Sequence, residues 1–163
     1  MRWARLAAGG FALALLLGAE GDCGDRRVPV AAVRGGSQCP GAGKGPSATL
    51  VTSPEAWREV FPSPLLDGEA PAPPVDFGKD AVIVVAMGER PTGGWAVELA
   101  RNEAAVKDGV VLVQVSFRGP AKDALVTQAL TRPCLAVKVP RDGIRAVKVA
   151  DEKGAIVASA GAR

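Results

Sequence analysis

An apolar run at residues 81–87 predicts a central β-strand. The run is unbroken and rich in β-branched residues, which is typical of a strand that is covered on both faces. After a turn, Trp95, Val97 and Leu99 alternate with small or polar residues, the period-two pattern of a strand with one buried face. We therefore expect the two strands to pair as a β-hairpin, with residues 88–94 as its loop.

The rest of the chain repeats this pattern of short strands separated by turns. Asp108-Gly109 is a strong turn signal between two strand segments, and Pro29 places the first strand near a sheet edge because proline cannot donate to a ladder. Strands are predicted at residues 26–34, 48–52, 110–118, 135–139, 144–149 and 155–158. The pattern predicts an all-β fold, mainly an antiparallel sandwich or a partly open barrel, of which the immunoglobulin-like domain is one form.

One short helix is expected between Ser53 and Phe61. Ser53 is a good N-cap, and Pro54 suits the first helical position, where its missing N–H has no partner to lose. Trp57, Val60 and Phe61 then fall on one face. We expect Trp57 to dock the helix on the sheet.

The N-terminus has the features of a secretory signal peptide. Arg2 and Arg5 precede an apolar stretch at residues 6–19 that ends in small residues. The stretch is shorter than the ~20 residues of a stable membrane span, so an uncleaved anchor is the less favoured alternative. The predicted organisation is a signal peptide at 1–19, a flexible leader with the first strand at 20–47, and a β domain at 48–160.

Export sets the expected location and the chemistry of the cysteines. The mature protein is expected in the periplasm, associated with the cell envelope or outside the cell. Cys23 lies where bacterial lipoproteins are acylated, but Glu20 and Asp22 just before it disfavour a lipid anchor. In an exported protein a disulfide is the expected use of two cysteines. Cys39 and Cys134 both lie at strand ends and are the favoured pair, with Cys23 to Cys39 as the alternative.

The composition excludes several classes of function. The chain has no histidine and no tyrosine, which removes the usual general base and the imidazole metal ligands. We therefore expect no catalysis, no cofactor and no metal site. The formal net charge is +3, of which Arg2 and Arg5 supply two charges. A nearly neutral mature chain has no basic cluster of the kind that binds nucleic acid.

The loop at residues 88–94 is unusually rich in glycine and proline, the two residues with special preferences for the backbone angle φ. It contains three glycines, which permit positive φ, and one proline, which fixes φ. It does not match a phosphate-binding loop, because it connects two strands and no helix follows it. The loop should therefore be stiff and tightly folded.

Three segments also carry a resemblance to a known family. They are PVDF at 74–77, GERPTGGWAV at 88–97 and QALTRPCLAVKVP at 128–140. In this order and spacing they resemble the C-terminal domain of PrcB, a subunit of a bacterial secreted protease complex. The resemblance implies a small β-rich domain that binds and stabilises a protease without catalysis of its own. A looser similarity is to the chagasin family of cysteine-protease inhibitors, although the Asn, second Thr and final Trp of its loop motifs are absent.

The resemblance, together with the stiff loop beside two arginines, indicates the candidate partner-binding residues. They are Arg90, Pro91, Thr92, Gly93, Gly94 and Trp95 in one loop and Thr131, Arg132 and Pro133 in another. Trp95 has the parity of the buried positions in its strand, so a core role is favoured over a binding role. The expected function is an exported, non-enzymatic, protein-binding domain whose partner is a protease. A direct protease inhibitor and an envelope structural protein are the alternatives.

Overall fold

The computed structural model describes residues 25–39, 41–61 and 74–161. These ranges contain ten β-strands and one short α-helix. The elements are β1 (Arg26–Pro29), β2 (Ala31–Gly36), β3 (Ser47–Val51), α1 (Pro54–Val60), β4 (Asp80–Ala86), β5 (Ala96–Leu99), β6 (Glu103–Lys107), β7 (Val110–Arg118), β8 (Cys134–Pro140), β9 (Ala146–Ala150) and β10 (Ile156–Gly161).

The strands form two sheets that pack face to face. In the larger sheet the order is β1-β6-β7-β9-β10, and β5 pairs with the second half of β7. In the smaller sheet the order is β2-β8-β4-β3. The pairs are antiparallel except for β7 with β9, which is parallel. At the open sides β3 lies beside β10 and β2 beside β5. The prediction of an all-β sandwich with one short helix is confirmed.

Strand β4 lies at the centre of the fold and is buried on both faces, as the apolar run predicted. Ile83 and Val85 belong to the core between the two sheets. Val82 and Val84 point the other way, into a second apolar cluster on the outer face of the smaller sheet. Because side chains alternate along a strand, only a run that is apolar at every position fills both clusters.

Helix α1 covers that second cluster. The Ser53 hydroxyl accepts a hydrogen bond from the Ala56 N–H at 3.2 Å, and Pro54 occupies the first turn. Trp57 is buried and packs with Phe61, their ring centroids 4.7 Å apart. The predicted cap and the predicted docking of the helix through Trp57 are confirmed.

The predicted hairpin between residues 81–87 and 95–99 is wrong. Strand β4 pairs with β3 on one side and with β8 on the other, whereas β5 pairs with β7 of the other sheet. Both edges of β4 are therefore occupied, and the chain crosses from one sheet to the other between Met87 and Trp95. The alternation of residues identified both strands but carries no information about which neighbours they pair with.

The N-terminal strand also differs from its prediction. The segment predicted as one strand at 26–34 forms two, because the chain changes sheets at Val30: β1 pairs with β6 and β2 with β8. Strand β1 lies at a sheet edge, as Pro29 indicated. Strand β6 was not predicted, since its sequence at 103–107 is short and half polar.

Some predictions fall on residues 1–24, which lie outside the described residues. The signal peptide and the fate of Cys23 are among them, and the division of the chain at residues 19 and 47 stays a prediction. In the described part of the chain, no helix is long and apolar enough to cross a membrane.

Candidate partner-binding site

Two loops meet at one end of the sandwich. The first loop, residues 87–95, connects β4 to β5, and the second loop, residues 119–133, connects β7 to β8. The Arg90 N–H donates to the Thr131 carbonyl at 2.8 Å, and the Thr131 N–H donates to the Arg90 carbonyl at 2.9 Å. This antiparallel bridge brings the two predicted groups of contact residues together.

Two further hydrogen bonds join the loops beside the bridge. The Thr131 hydroxyl donates to the Thr92 carbonyl at 2.8 Å, and the Gly93 N–H donates to the Thr127 carbonyl at 2.8 Å. Thr131 is buried, with only 7% of its surface exposed, so its hydroxyl needs a partner inside the protein. The two loops are therefore one connected unit.

The side chain of Arg90 folds back onto its own loop. Its guanidinium donates to the carbonyls of Met87 at 3.0 Å and Glu89 at 2.9 Å. The guanidinium carbon also lies 5.4 Å from the centre of the Trp95 ring, which is cation–π distance. Its Nε atom is buried and has no hydrogen-bond partner among the described residues. The side chain of Arg90 therefore braces the first loop, and its contact with a partner stays a prediction.

Trp95 is half-buried and packs against the core between the sheets. This agrees with the core role that its alternation with Val97 and Leu99 favoured. Its indole N–H donates to the Thr92 hydroxyl at 3.2 Å. The ring also lies against Gly119 at the start of the second loop, where an added Cβ would come within 3.0 Å of it. Trp95 thus helps to fix both loops.

Arg132 forms an ion pair that also crosses between the loops. Its Nη2 lies 2.6 Å and its Nε 3.2 Å from the Oε1 of Glu89. The two side chains are 41% and 28% exposed, respectively. Arg132 is thus partly exposed, and its charge is balanced by Glu89.

The residues after β2 hold the second loop from the opposite side. The Arg132 N–H donates to the Ser37 carbonyl at 2.8 Å, and its carbonyl accepts from the Cys39 N–H at 3.0 Å. The Pro133 carbonyl accepts from the Met87 N–H at 2.8 Å. The backbone at residues 132–133 is therefore fixed by segments on both sides of it.

A disulfide joins Cys39 to Cys134 next to this junction. Both residues are buried, and their Cα atoms are 6.0 Å apart. This is the pairing that the sequence favoured. The disulfide ties the segment after β2 covalently to the start of β8, directly below Arg132 and Pro133.

Positive φ is required at two of the three glycines of the first loop. Gly88 has φ +86° and Gly94 has φ +79°. A Cβ on Gly88 would lie 2.5 Å from the Lys44 carbonyl, and one on Gly94 would lie 2.9 Å from Val126. Gly93 is not in this region of φ, and a Cβ there would meet Thr127 at an ordinary 3.5 Å. Only Gly88 and Gly94 therefore use the freedom of φ that glycine gives.

The second loop exposes apolar residues that were not among the predicted contact residues. Leu125 is fully exposed, at 103% of its reference area, and Leu130 is 53% exposed. Pro91, at the tip of the first loop, is also exposed. The sequence contains one signal for this exposure. Both leucines lie in a segment with neither strand nor helix periodicity, so no regular element turns them toward a core.

The two-loop end forms a surface suited to contact with another molecule. Within the ranges that the structure describes, no group of three or more metal-ligating side chains occurs. What the loops present is a stiff backbone with a few exposed apolar side chains, which is how contact surfaces on rigid scaffolds are built.

These observations define a β-sandwich with a connected two-loop surface at one end. Residues 81–140 match the family model described as PrcB C-terminal. The resemblance drawn from the sequence is therefore confirmed for the segment from β4 to the end of β8, which contains both loops. No curated protein and no solved structure is significantly similar to the chain.

Proposed function

We propose that this chain is an exported, non-catalytic domain that binds another protein, a protease, through the two-loop end of the sandwich. The observation that carries the proposal is the match to the PrcB C-terminal model over 81–140 combined with the Arg90–Thr131 bridge. The matched segment contains both loops, and the bridge makes them a single surface.

The nine candidate residues divide into two roles in this proposal. Arg90, Thr92, Trp95, Thr131 and Pro133 shape the loops through the contacts described above. Pro91 and Gly94 are exposed and Gly93 and Arg132 are partly exposed, and these four are proposed to contact the partner. A surface fixed in advance loses little conformational entropy on binding, so more of its contact energy appears as affinity.

Export is part of the proposal. The buried Cys39–Cys134 disulfide supports it, because disulfides persist in oxidising compartments such as the periplasm and the cell exterior. The basic and apolar residues of 1–19 support it as well. We propose that the mature domain acts in the periplasm, at the cell envelope or outside the cell.

A direct protease inhibitor is the second candidate. It is supported by the placement of Arg90-Pro91-Thr92-Gly93-Gly94 beside Arg132-Pro133-Cys134 at one end of a β-sandwich, since two adjacent loops can enter a cleft together. Inhibition assays against papain-like and serine proteases distinguish a subunit from an inhibitor. A subunit leaves proteolysis intact, whereas an inhibitor abolishes it at stoichiometric concentration.

The proposal is tested by capture from the native cell envelope followed by mass spectrometry. The mature protein is used as bait beside Pro91→Glu, which places a charge on the exposed tip of the first loop. Lys107→Glu is the control, because Lys107 is exposed at the β6–β7 turn at the other end of the sandwich. We expect a protease to be enriched by the parent and by Lys107→Glu but not by Pro91→Glu. Equal enrichment by all three baits, or no enriched protein, contradicts the proposal.

A further inference from the structure

We propose that Leu125 and Leu130 of the second loop are the apolar anchors of the interface, and that they enter an uncharged, apolar pocket on the partner protein. This inference rests on the proposed function and specifies the chemistry of the partner's surface. It places the main contact on two leucines of the second loop, beside the contacts proposed for Pro91 and Arg132.

The first observation is the exposure of these side chains. Leu125 is 103% exposed and Leu130 is 53% exposed, whereas the leucines and valines of the strands are mostly buried. Ala124 and Ala129 beside them are exposed too. A single exposed leucine is ordinary, but here two exposed leucines lie on the same loop, each beside an exposed alanine. Exposed apolar surface of this kind often marks a site of contact with another protein.

The second observation is that the loop is held in place although its tip is exposed. The Ala124 N–H donates to the Ala121 carbonyl at 3.0 Å, and the Thr127 carbonyl accepts from Gly93 at 2.8 Å. Val126 packs so closely on Gly94 that a Cβ there would lie 2.9 Å from it. Both neighbours of Leu125 in the chain are therefore held in place. This lowers the conformational entropy that the loop loses on binding.

The third observation is the local charge, which indicates the chemistry of the partner. Arg132 is paired with Glu89 at 2.6 Å, and Arg118 at the start of the second loop is paired with Glu98 at 3.1 Å. The remaining charges of the loop, Lys122 and Asp123, are adjacent and of opposite sign. Arg90 is the exception, and its guanidinium folds back onto two carbonyls of its own loop. A surface whose other charges occur in pairs of opposite sign, and which exposes two leucines, is complementary to an uncharged apolar pocket. Its affinity should change little with salt, because salt screens interactions between charges and contact between apolar side chains involves none.

The test begins with photocrosslinking of the full-length protein in its native cell envelope. Benzoylphenylalanine replaces Leu125, Leu130, Pro91 or Leu112 in four separate variants. Leu112 is the matched control, since it is 39% exposed on β7 and pairs with Ala105 of β6, away from the loops. We expect one discrete adduct from the Leu125 and Leu130 variants and none from the Leu112 variant.

The adduct partner is then purified and its affinity is measured for Leu125→Ser, Leu130→Ser and Leu112→Ser at low and high salt. Burial of a leucine side chain is expected to be worth roughly tenfold or more in affinity. Leu125→Ser and Leu130→Ser should therefore each weaken binding by about that factor at both salt concentrations, with melting temperatures unchanged. Leu112→Ser should bind like the parent.

The possible failures are distinguishable. An adduct from the Pro91 variant without one from either leucine variant overturns this inference and leaves the proposed function standing. Affinity that falls steeply with salt, or that is unchanged in Leu125→Ser and Leu130→Ser, overturns it as well. The absence of adducts at all four positions overturns both the inference and the proposed function.

Discussion

Arg90 and Thr131 lie 41 residues apart in the chain and exchange a pair of backbone hydrogen bonds of 2.8 and 2.9 Å. The bridge is outside the regular strands of both sheets. It closes the end of the sandwich where β4, β5, β7 and β8 begin or end. Everything proposed for function depends on this contact, because it turns two separate connections into one surface.

The side chain of Arg90 should stabilise the fold. Arg90→Ala removes two charged hydrogen bonds to carbonyls and the contact with Trp95, and we expect a loss of about 1–3 kcal/mol in the free energy of unfolding. Arg101→Ala is the control, since Arg101 is exposed and its Nε donates to the Gln114 side chain at 2.9 Å. Urea denaturation measures both. Equal midpoints for the parent and Arg90→Ala would show that the guanidinium does not brace the loop.

The glycines of the first loop should differ sharply in their tolerance of substitution. Gly94→Ala places a side chain at φ +79° and against Pro120 and Val126, so we expect a loss of at least ~1–2 kcal/mol. Gly93→Ala is the matched neighbour and should be nearly neutral. Melting curves of the two variants compare their stabilities. A similar loss of stability at both positions would contradict the backbone conformation described for the loop.

The disulfide should contribute strongly to stability. Its cysteines are separated by 95 residues, and the loop-entropy model gives a gain of about 4–5 kcal/mol for a loop of that length. We expect Cys39→Ala/Cys134→Ala to lose much of this in denaturation experiments. Non-reducing peptide mapping should find the peptides of Cys39 and Cys134 linked. Recovery of Cys134 as a free thiol, or of Cys39 linked to Cys23, would refute the pairing.

The mature protein should lack residues 1–19. The basic start, the apolar stretch and the small residues before Glu20 are the signals that a secretory peptidase reads. N-terminal sequencing of the protein isolated from the cell envelope checks this. An intact Met1 on that material would contradict it.

Local sequence patterns predicted those parts of the fold that depend on local physics. The apolar run around Ile83 identified the central strand because every position of a doubly covered strand is buried. Ser53 and Pro54 identified the start of the helix because capping satisfies free N–H groups within one turn. These signals are contained in a few neighbouring residues.

Pairing and exposure could not be predicted in this way. Nothing near Trp95 indicates that its strand pairs with β7 rather than β4, because the partner is set by which sheet edges are already occupied. Arg90 was interpreted as a surface residue because arginines usually are. The position of its side chain depends on hydrogen bonds to two carbonyls, and only the folded loop brings these within reach. Leu125 was missed for the opposite reason, since an apolar residue is assumed to be buried unless the fold shows otherwise.

The central claim is that a protein binds at the two-loop end, and hydrogen–deuterium exchange tests it most directly. The mature domain is compared alone and in complex with the purified protein captured from the envelope. We predict slower exchange in residues 88–95 and 121–133 on binding, and unchanged exchange in the turns at residues 107–110 and 141–145 at the other end. Protection confined to those turns, or no protection in the two loops, would contradict the account.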